Sequence, residues 1–198
     1  MTDPEAVLSF WFGDETTEAG LYAGQSRWWQ KDRALDEAIR ERFEDAVHAA
    51  GRGALDAWRD TPRSCVAWVV LLDQFPRNLY RGTPRAFTYD VQALAASLRA
   101  GDRGLDRGLP CALRQFLYMP MMHAEDVHAQ RRSVAAFARL AEEAPDEVAE
   151  TCQRTLRFAR DHAAIVERFG RFPHRNAYLG RESTAEEAAF LEQPGSSF

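Results

Sequence analysis

The chain contains almost no lysine: Lys31 is the only one among its 25 basic residues, and the others are arginines. Its 30 acidic residues outnumber the basic ones and leave a formal net charge of −5. A protein that binds nucleic acid through its general charge carries the opposite balance, so we expect no nucleic-acid partner. Basic charge carried by arginine instead favours planar, bidentate recognition of carboxylates and phosphates.

Cysteine is also scarce. The three cysteines, Cys65, Cys111 and Cys152, stand far apart and form no Cys-x-x-Cys pair. This spacing predicts neither a disulfide framework nor a zinc site, and it favours a reducing compartment. The chain begins with Asp3 and Glu5 instead of a basic segment followed by an apolar one, so we expect no signal peptide.

Long apolar runs and alternating β-branched residues are both missing. The longest apolar run, residues 65–72, is too short to cross a bilayer, so we expect a cytoplasmic protein with no membrane partner. Apolar residues recur at helical spacing, and glycine or proline separates the segments that carry them. Two of the predicted helices end at prolines, Pro76 and Pro120. The sequence therefore predicts one all-α domain over residues 1–198, with about nine helices in antiparallel pairs.

Residues 160–181 combine a predicted helix with an unusually polar connector. The helix breaks at Gly170, and Pro173 forces the residue before it into an extended conformation. The connector carries several cationic and amide side chains: Arg171, His174, Arg175, Asn176 and Arg181. This mixture is typical of a binding site and uncommon in a plain solvated loop.

Two segments of the chain share a pattern. Phe75-Pro-Arg-Asn-Leu-Tyr-Arg-Gly82 is similar to Phe172-Pro-His-Arg-Asn-Ala-Tyr-Leu-Gly180, with His174 as the one insertion. We call them the first and the second Phe-Pro turn. They are either repeated connectors between helices or two parts of one site. We expect the two turns to converge, with the first chiefly structural and the second binding a ligand through Arg175.

Several polar side chains fall on otherwise apolar helix faces: Asp73, His123, Gln130 and His162. Burial of an unpaired polar group costs ~1–3 kcal/mol, so these groups must have partners. We place His123 and Gln130 on one stripe of a helix that starts after Pro120. We place Asp73 in the last turn of its helix, where an arginine of one of the Phe-Pro turns has to balance its charge.

The segment from His123 to His128, which includes Glu125 and Asp126, could suggest a metal site. On a helix, however, His123 and Glu125 point about 200° apart, and the two histidines diverge by about 140°. The i, i+4 histidine pair of a helical zinc site is therefore missing, and we predict no metal and no cofactor. The sequence also contains no Walker loop, dinucleotide-binding glycine motif or nucleophile elbow.

Four motifs carry a resemblance to a known family: Val7-Leu-Ser-Phe-Trp-Phe-Gly13, Leu72-Asp-Gln-Phe-Pro-Arg-Asn78, Tyr118-Met-Pro-Met-Met-His-Ala-Glu-Asp126 and Phe169-Gly-Arg-Phe-Pro-His-Arg-Asn176. They resemble the bacterial family called domain of unknown function 924, over nearly the whole chain. The resemblance implies a tetratricopeptide-like helical fold and no established activity. The family's usual third motif has serine where this chain has Ala124, so we expect no role for a hydroxyl there.

Two functions fit these observations, and a purely structural polar network is the third possibility. One is a pocket for a small anionic molecule, a carboxylate or a phosphate, with or without acid–base catalysis. The candidates for proton transfer are His123, His162 and His174. The candidates for ligand binding are Asp73, Arg77, Asn78, Gln130, Arg171, Arg175, Asn176 and Arg181. The alternative is a helical-repeat module that binds a peptide or protein partner on its concave face.

Overall fold

The computed structural model describes residues 2–197, and this part of the chain forms helices and no strands. The first half contains α1 (Pro4–Phe12), α2 (Glu18–Ala23), α3 (Ser26–Trp29), α4 (Arg33–Gly51), a 3-10 helix (Asp56–Asp60), α5 (Pro62–Val69), a π-helix (Val70–Gln74) and α6 (Phe75–Leu79). The second half contains a 3-10 helix (Pro84–Phe87), α7 (Asp90–Arg103), α8 (Cys111–Met122), α9 (Val127–Glu143), α10 (Asp146–Phe169), a 3-10 helix (Pro173–Arg175), α11 (Asn176–Leu179) and α12 (Ala185–Leu191). The prediction of an all-α helical array is confirmed.

Side-chain caps determine where several helices begin. Asp126 accepts a hydrogen bond from the backbone N–H of Ala129 at 2.7 Å and so starts α9. Thr184 and Glu187 form a capping box at the start of α12. These caps satisfy backbone N–H groups that have no partner inside their own helix.

Aromatic side chains fill the centre of the core. Trp11 contacts Phe75 and Phe116 edge to face, with ring centroids 5.5 and 5.8 Å apart. Residues 65–72, which the sequence predicts to be apolar on every side, are each almost completely buried. A smaller cluster lies beside the second Phe-Pro turn and consists of Ile165, Val166 and Phe172.

The helices α8, α9 and α10 pack against one another in succession. Short connectors join them, so neighbouring helices run antiparallel. No helix within residues 2–197 combines the length and the apolar character that crossing a membrane requires.

Two prolines that the sequence predicts to end helices lie inside helical segments instead. Pro120 lies within α8, and Pro76 is the second residue of α6. Pro76 has no N–H to donate to the preceding turn. The chain widens there into the π-helix, in which the N–H of Phe75 donates to the carbonyl of Val70. One helical segment therefore continues from α5 into α6 through a wide turn.

Candidate functional site

The π-helix directs two polar side chains into the protein. Asp73 is fully buried, and Gln74 is 5 % exposed. The backbone carbonyl of Asp73 accepts a hydrogen bond from Nη1 of Arg77 at 2.6 Å. The arginine side chain thus binds a carbonyl oxygen at the point where the helix returns from π to α geometry.

Asp73 and His123 form a buried hydrogen-bonded pair. The Nδ1–H of His123 donates to Oδ1 of Asp73 at 2.8 Å, and Nε2 of Gln74 donates to Oδ2 at 2.6 Å. Burial disfavours the charge on Asp73, but Arg77, 3.4 Å away, and these hydrogen bonds hold the pKa of the carboxyl below its usual value. The carboxylate therefore stays ionised and keeps the proton of His123 on Nδ1.

His123 lies in the connector between α8 and α9, so the prediction that places it on the helix with Gln130 is wrong. Because Asp126 is the N-cap, α9 begins only at the next residue. The spacing of the apolar residues alone does not show this position. Gln130 itself is fully buried, and its Nε2 donates to the carbonyls of Met122 and Ala124 at 2.7 Å each. Gln130 thus holds the backbone on both sides of His123.

Arg77 of the first Phe-Pro turn and Arg175 of the second meet at Asp90. The two Nη groups of Arg77 donate to the carboxylate at 2.8 and 2.9 Å, and Nη1 of Arg175 lies 3.7 Å from Oδ2. Both guanidinium groups also lie over the ring of Phe87, 5.7 and 4.9 Å from its centroid. The expected convergence of the two turns is therefore observed at their arginines.

Arg175 is the least satisfied cation of this cluster. Its side chain is buried, and Nη1 donates to the carbonyl of His123 at 3.0 Å. Among the residues that the structure describes, none accepts a hydrogen bond from Nε of Arg175. Burial, together with the like charge of Arg77, lowers the pKa of Arg175 to about 10. Its nearest carboxylate, Asp90, makes its shorter bonds to Arg77.

His123 and His162 lie close together, with ring centroids 6.3 Å apart. The Nδ1–H of His162 donates to the carbonyl of Phe158 at 2.8 Å, one helical turn earlier. Burial, together with the neighbouring His123, lowers the pKa of His162 to about 3. Burial also lowers the pKa of His123, although Asp73 opposes that shift. Both imidazoles are therefore neutral near pH 7.

His174, the inserted residue of the second turn, contacts the opposite part of the same aromatic cluster. The ring centroid of Phe172 is 5.5 Å from that of His162 and 5.6 Å from that of His174. Burial, together with the charge of Arg175, lowers the pKa of His174 to about 4. A hydrogen bond also joins His174 to the backbone at Ser196, near the end of the chain. His174 and His162 therefore both contact the ring of Phe172.

Two arginines flank the second turn, one on each side, and each forms an ion pair. Arg171 donates to Glu187 through Nε at 2.6 Å and Nη2 at 2.8 Å. Arg181 donates to Glu125 through Nη1 at 2.6 Å and Nη2 at 2.8 Å, and its Nε donates to Oδ1 of Asn176 at 3.0 Å. These bidentate pairs tie the second turn to α12 and to the connector before α9.

The remaining residues of the first turn bind to α4. Nδ2 of Asn78 donates to Oδ1 of Asp36 at 2.8 Å, and Arg81 donates to the same oxygen at 2.9 Å. The two turns are neighbours here too, because a Cβ added to Gly82 would lie 4.0 Å from the ring of Tyr178. Asn78 nevertheless binds a different partner from Asn176, so the asparagines do not meet at one point.

The site residues predicted from the sequence do not include the carboxylates that balance these arginines. Asp90 and Glu187 lie in the first turns of helices, and Glu125 comes just before one. The helix dipole alone makes acidic residues favourable at such places, so their positions in the sequence do not indicate a role in the site. Only charge balance indicates that such acidic partners exist, because Asp73 alone cannot neutralise several arginines in buried turns.

The arrangement supplies a neutral imidazole, an ionised carboxylate that orients it and a buried guanidinium with an open donor. Such groups can bind an anion and accept a proton from it or from water. No three His, Cys, Asp or Glu side chains within residues 2–197 are grouped so that they could hold a metal ion.

Comparison with known proteins supplies the family. The chain matches the model of a family described as a bacterial protein of unknown function (DUF924) over residues 7–195. The chain belongs to this family. The resemblance carried by the four sequence motifs is thereby confirmed.

This DUF924 protein is also similar to the solved structure of a protein of unknown function from Agrobacterium tumefaciens. The two are 39% identical, the match covers 96% of each chain, and the TM-score is 0.81. No curated protein matches the chain at a significant level. The comparisons therefore establish family and fold, and a fold by itself does not determine the function of this DUF924 protein.

Proposed function

We propose that the chain binds a small anionic molecule, a carboxylate or a phosphate, at Arg175 and His123, and that His123 acts there as a general base. The observation that carries this proposal is the buried Asp73–His123 pair directly beside a guanidinium with an open donor. Such combinations of perturbed titratable groups occur preferentially at functional sites.

The hydrogen bond to Asp73 gives His123 its chemical role. Because Nδ1 of His123 carries the proton that Asp73 accepts, Nε2 is the basic nitrogen of the ring. Burial lowers the pKa of His123 and keeps the ring neutral near pH 7, so Nε2 is available to accept a proton. The ionised Asp73 then stabilises the imidazolium that forms, as an orienting carboxylate does beside other catalytic histidines.

Arg175 is the anion-binding group of this proposal, and Arg77 is its structural counterpart. Both Nη groups of Arg77 are engaged with Asp90, and Nη1 also bonds the carbonyl of Asp73. Arg175 shares Asp90 at a longer distance and has an unused Nε–H. An incoming anion would supply the charge and the acceptor that Arg175 lacks, and it would raise the lowered pKa of that group.

The peptide-binding alternative, a tetratricopeptide-like module, is favoured by an open groove of about 300 Å³ between α9 and α10. Small apolar residues and charged residues line the groove: Arg131, Val134, Arg160, Ala163, Ala164 and Glu167. Its lining includes neither Arg175 nor His123. Binding in this groove should therefore be insensitive to changes in the Phe-Pro turns.

Calorimetric titration with inorganic phosphate and with acetate tests the proposal. Lysine keeps the charge of arginine and loses its planar fork, so Arg175→Lys should weaken anion binding about ten-fold or more with little change in melting temperature. Arg77→Lys should instead lower the melting temperature, because it breaks the bidentate bond to Asp90. The matched control is Arg81→Lys, which alters a more exposed pair with Asp36 and should change neither property.

Equal anion affinities in the wild type and Arg175→Lys would contradict the anion-binding proposal. The general-base role is tested separately with His123→Gln. This variant should still bind phosphate but should lose the protonation change that accompanies binding, measured as the dependence of binding heat on buffer ionisation. An unchanged protonation signature in His123→Gln would assign the proton to another group.

A further inference from the structure

A cavity of about 240 Å³ lies beside α1 and reaches the C-terminal end of that helix. Its lining includes apolar side chains from α1, α2 and α8: Leu8, Phe12, Leu21 and Leu113. All four of these side chains are buried. The cavity is smaller than the ~300–1,000 Å³ of sites that bind drug-sized ligands, so its size suits a small molecule with an apolar body.

The charged part of the lining is mainly acidic. The carboxylates of Glu5, Asp14 and Glu15 line the cavity together with one cation, Arg63. Nε of Arg63 donates to Oε1 of Glu5 at 3.0 Å, and its Nη2 donates to the other carboxylate oxygen, so the charges of this pair balance. Asp14 and Glu15 form no ion pair with any residue in the range 2–197. Two negative charges therefore stand beside an apolar surface without a cation.

The local backbone places these two carboxylates at the end of α1. The helix ends at Gly13, which has a φ of +82° and donates its N–H to the carbonyl of Ser9 at 2.9 Å. A Cβ added to Gly20 would lie 2.7 Å from Cβ of Glu15, so the glycine leaves the space in which the stem of Glu15 packs against α2. The last turn of α1 carries no basic residue, and the helix dipole adds partial negative charge there. Both features favour a cation at this end of the cavity.

We propose that this cavity binds a small organic cation, with its ammonium group at Asp14 and Glu15 and its apolar body against the leucine and phenylalanine side chains. Such a molecule uses both parts of the lining. Its apolar body leaves water, and its ammonium group donates charge-assisted hydrogen bonds to the carboxylates. The same carboxylates repel an anion, and a neutral apolar molecule gains nothing from them.

The cation site is separate from the proposed anion site. The lining of the cavity contains no residue of either Phe-Pro turn, and it does not contain His123. The two sites also prefer ligands of opposite charge. A ligand of one sign therefore tests one site, and the failure of either proposal leaves the other untouched.

Titration with benzylammonium, followed through the backbone amide signals in NMR spectra, tests this inference. The amide signals of Gly13 and Gly20 should shift and then saturate as the cavity fills. Benzyl alcohol has the same ring without the charge, and methylammonium has the charge without the ring, so each should bind at least about ten-fold more weakly. Benzoate carries the opposite charge and should leave both signals in place, even where it binds at Arg175.

Two substitutions test the carboxylates in a connector that is exposed, so neither should disturb the fold. Asp14→Asn and Glu15→Gln should each weaken benzylammonium binding about three-fold or more, because each removes one charge beside the ammonium group. The matched control is Glu41→Gln, which makes the same change in net charge at an exposed position outside the cavity. Glu41→Gln and Arg175→Lys should both bind benzylammonium as the wild type does.

The three ligands decide the question in the wild type alone. Equal affinities for benzylammonium and benzyl alcohol would overturn the inference, because the cavity would then accept apolar molecules whatever their charge. Equal affinities for benzylammonium and methylammonium would overturn it too, since they would show only counterions at surface acids. Benzylammonium shifts that leave out Gly13 and Gly20 would be a third contrary result.

Discussion

The guanidinium of Arg175 donates to the backbone carbonyl of His123 at 3.0 Å and joins the second Phe-Pro turn to the loop that carries the imidazole. The side chain of the same His123 bonds to Asp73, which lies two residues before the first turn. One histidine therefore links the two similar segments, through its backbone on one side and its ring on the other. We therefore expect a change in either turn to alter the orientation of this ring.

Replacement of Asp73 by asparagine should destabilise the protein strongly. Asp73→Asn removes a buried charge whose partners, His123 and Arg77, remain in place, and breaking a buried ion pair costs ~3–5 kcal/mol. Chemical denaturation at pH 7 measures this loss as a decrease in the free energy of unfolding.

The control for this measurement is Asp102→Asn. Asp102 bonds to Arg132 at the surface and is 65% exposed, so its loss should change the free energy of unfolding by ~1 kcal/mol or less. If Asp73→Asn is as stable as the wild type but no longer binds phosphate, Asp73 is a strained site residue and not a structural partner.

Stability should fall as the pH is lowered from 7 to 5, and His162 should contribute to that fall. The pKa of His162 is about 3 in the folded protein, against an ordinary value near 6.5. Below pH 6.5 the unfolded chain therefore binds a proton that the folded chain does not, so the free energy of unfolding decreases with falling pH. His162→Phe should remove about 2 kcal/mol of this decrease between pH 7 and pH 5.

The matched control for this pH dependence is His128→Asn, because His128 is exposed. Urea denaturation at a series of pH values compares the three proteins, after correction for their different stabilities at pH 7. If His162→Phe and the wild type have parallel curves, the ring of His162 takes up its proton in the folded protein, and its burial does not exclude charge.

Glu125 should be the residue that holds the second turn in place. Its carboxylate accepts hydrogen bonds from the backbone N–H of Phe172 and from Arg181. Because hydrogen bonds to charged groups contribute ~1.5–3 kcal/mol, Glu125→Gln should lower the free energy of unfolding by about that amount. It should also weaken anion binding, since the turn carries Arg175.

Glu167→Gln is the control for Glu125→Gln. Glu167 pairs with Arg131, both side chains are at least 50% exposed, and surface pairs contribute little. Hydrogen exchange of the amide of Phe172 gives a local measurement. Exchange at this amide should become much faster in Glu125→Gln alone, and equal exchange in both variants would show that the turn holds its place without the carboxylate.

The helical class and the buried centre of the fold could be predicted from the sequence. Apolar residues at helical spacing marked the helices, and the continuous run at residues 65–72 marked the buried segment that every neighbour covers. Both follow from local patterns, because burial of a helix face requires a fixed periodicity.

The ends of the helices around the site could not be predicted so well. Proline at positions 76 and 120 indicated two helix ends, yet the chain continues through both because neighbouring turns adjust. The Asp126 cap moved His123 off α9. The exact ends of these helices depend on contacts that form when the chain packs, and the spacing of residues along the sequence does not reveal these contacts.

The partners of the arginines were likewise beyond sequence reasoning. Asp73 was identified from its place on an apolar face, and Arg77 was among the arginines expected to balance it. Asp90 gave no comparable signal, since an acid in the first turn of a helix is ordinary. Only the folded chain shows that this ordinary acid stands between the arginines of two distant segments.

The π-helix at Val70–Gln74 also places the first Phe-Pro turn one residue out of phase with α5. Each residue of an α-helix advances the chain by about 100° around the axis. The wide turn accommodates one extra residue without that advance. If the same residues formed an uninterrupted α ladder, Arg77 would be rotated by roughly that angle relative to α5, away from Asp90. The wide turn therefore sets the direction of the arginine, and the backbone geometry of this stretch is constrained separately from its composition.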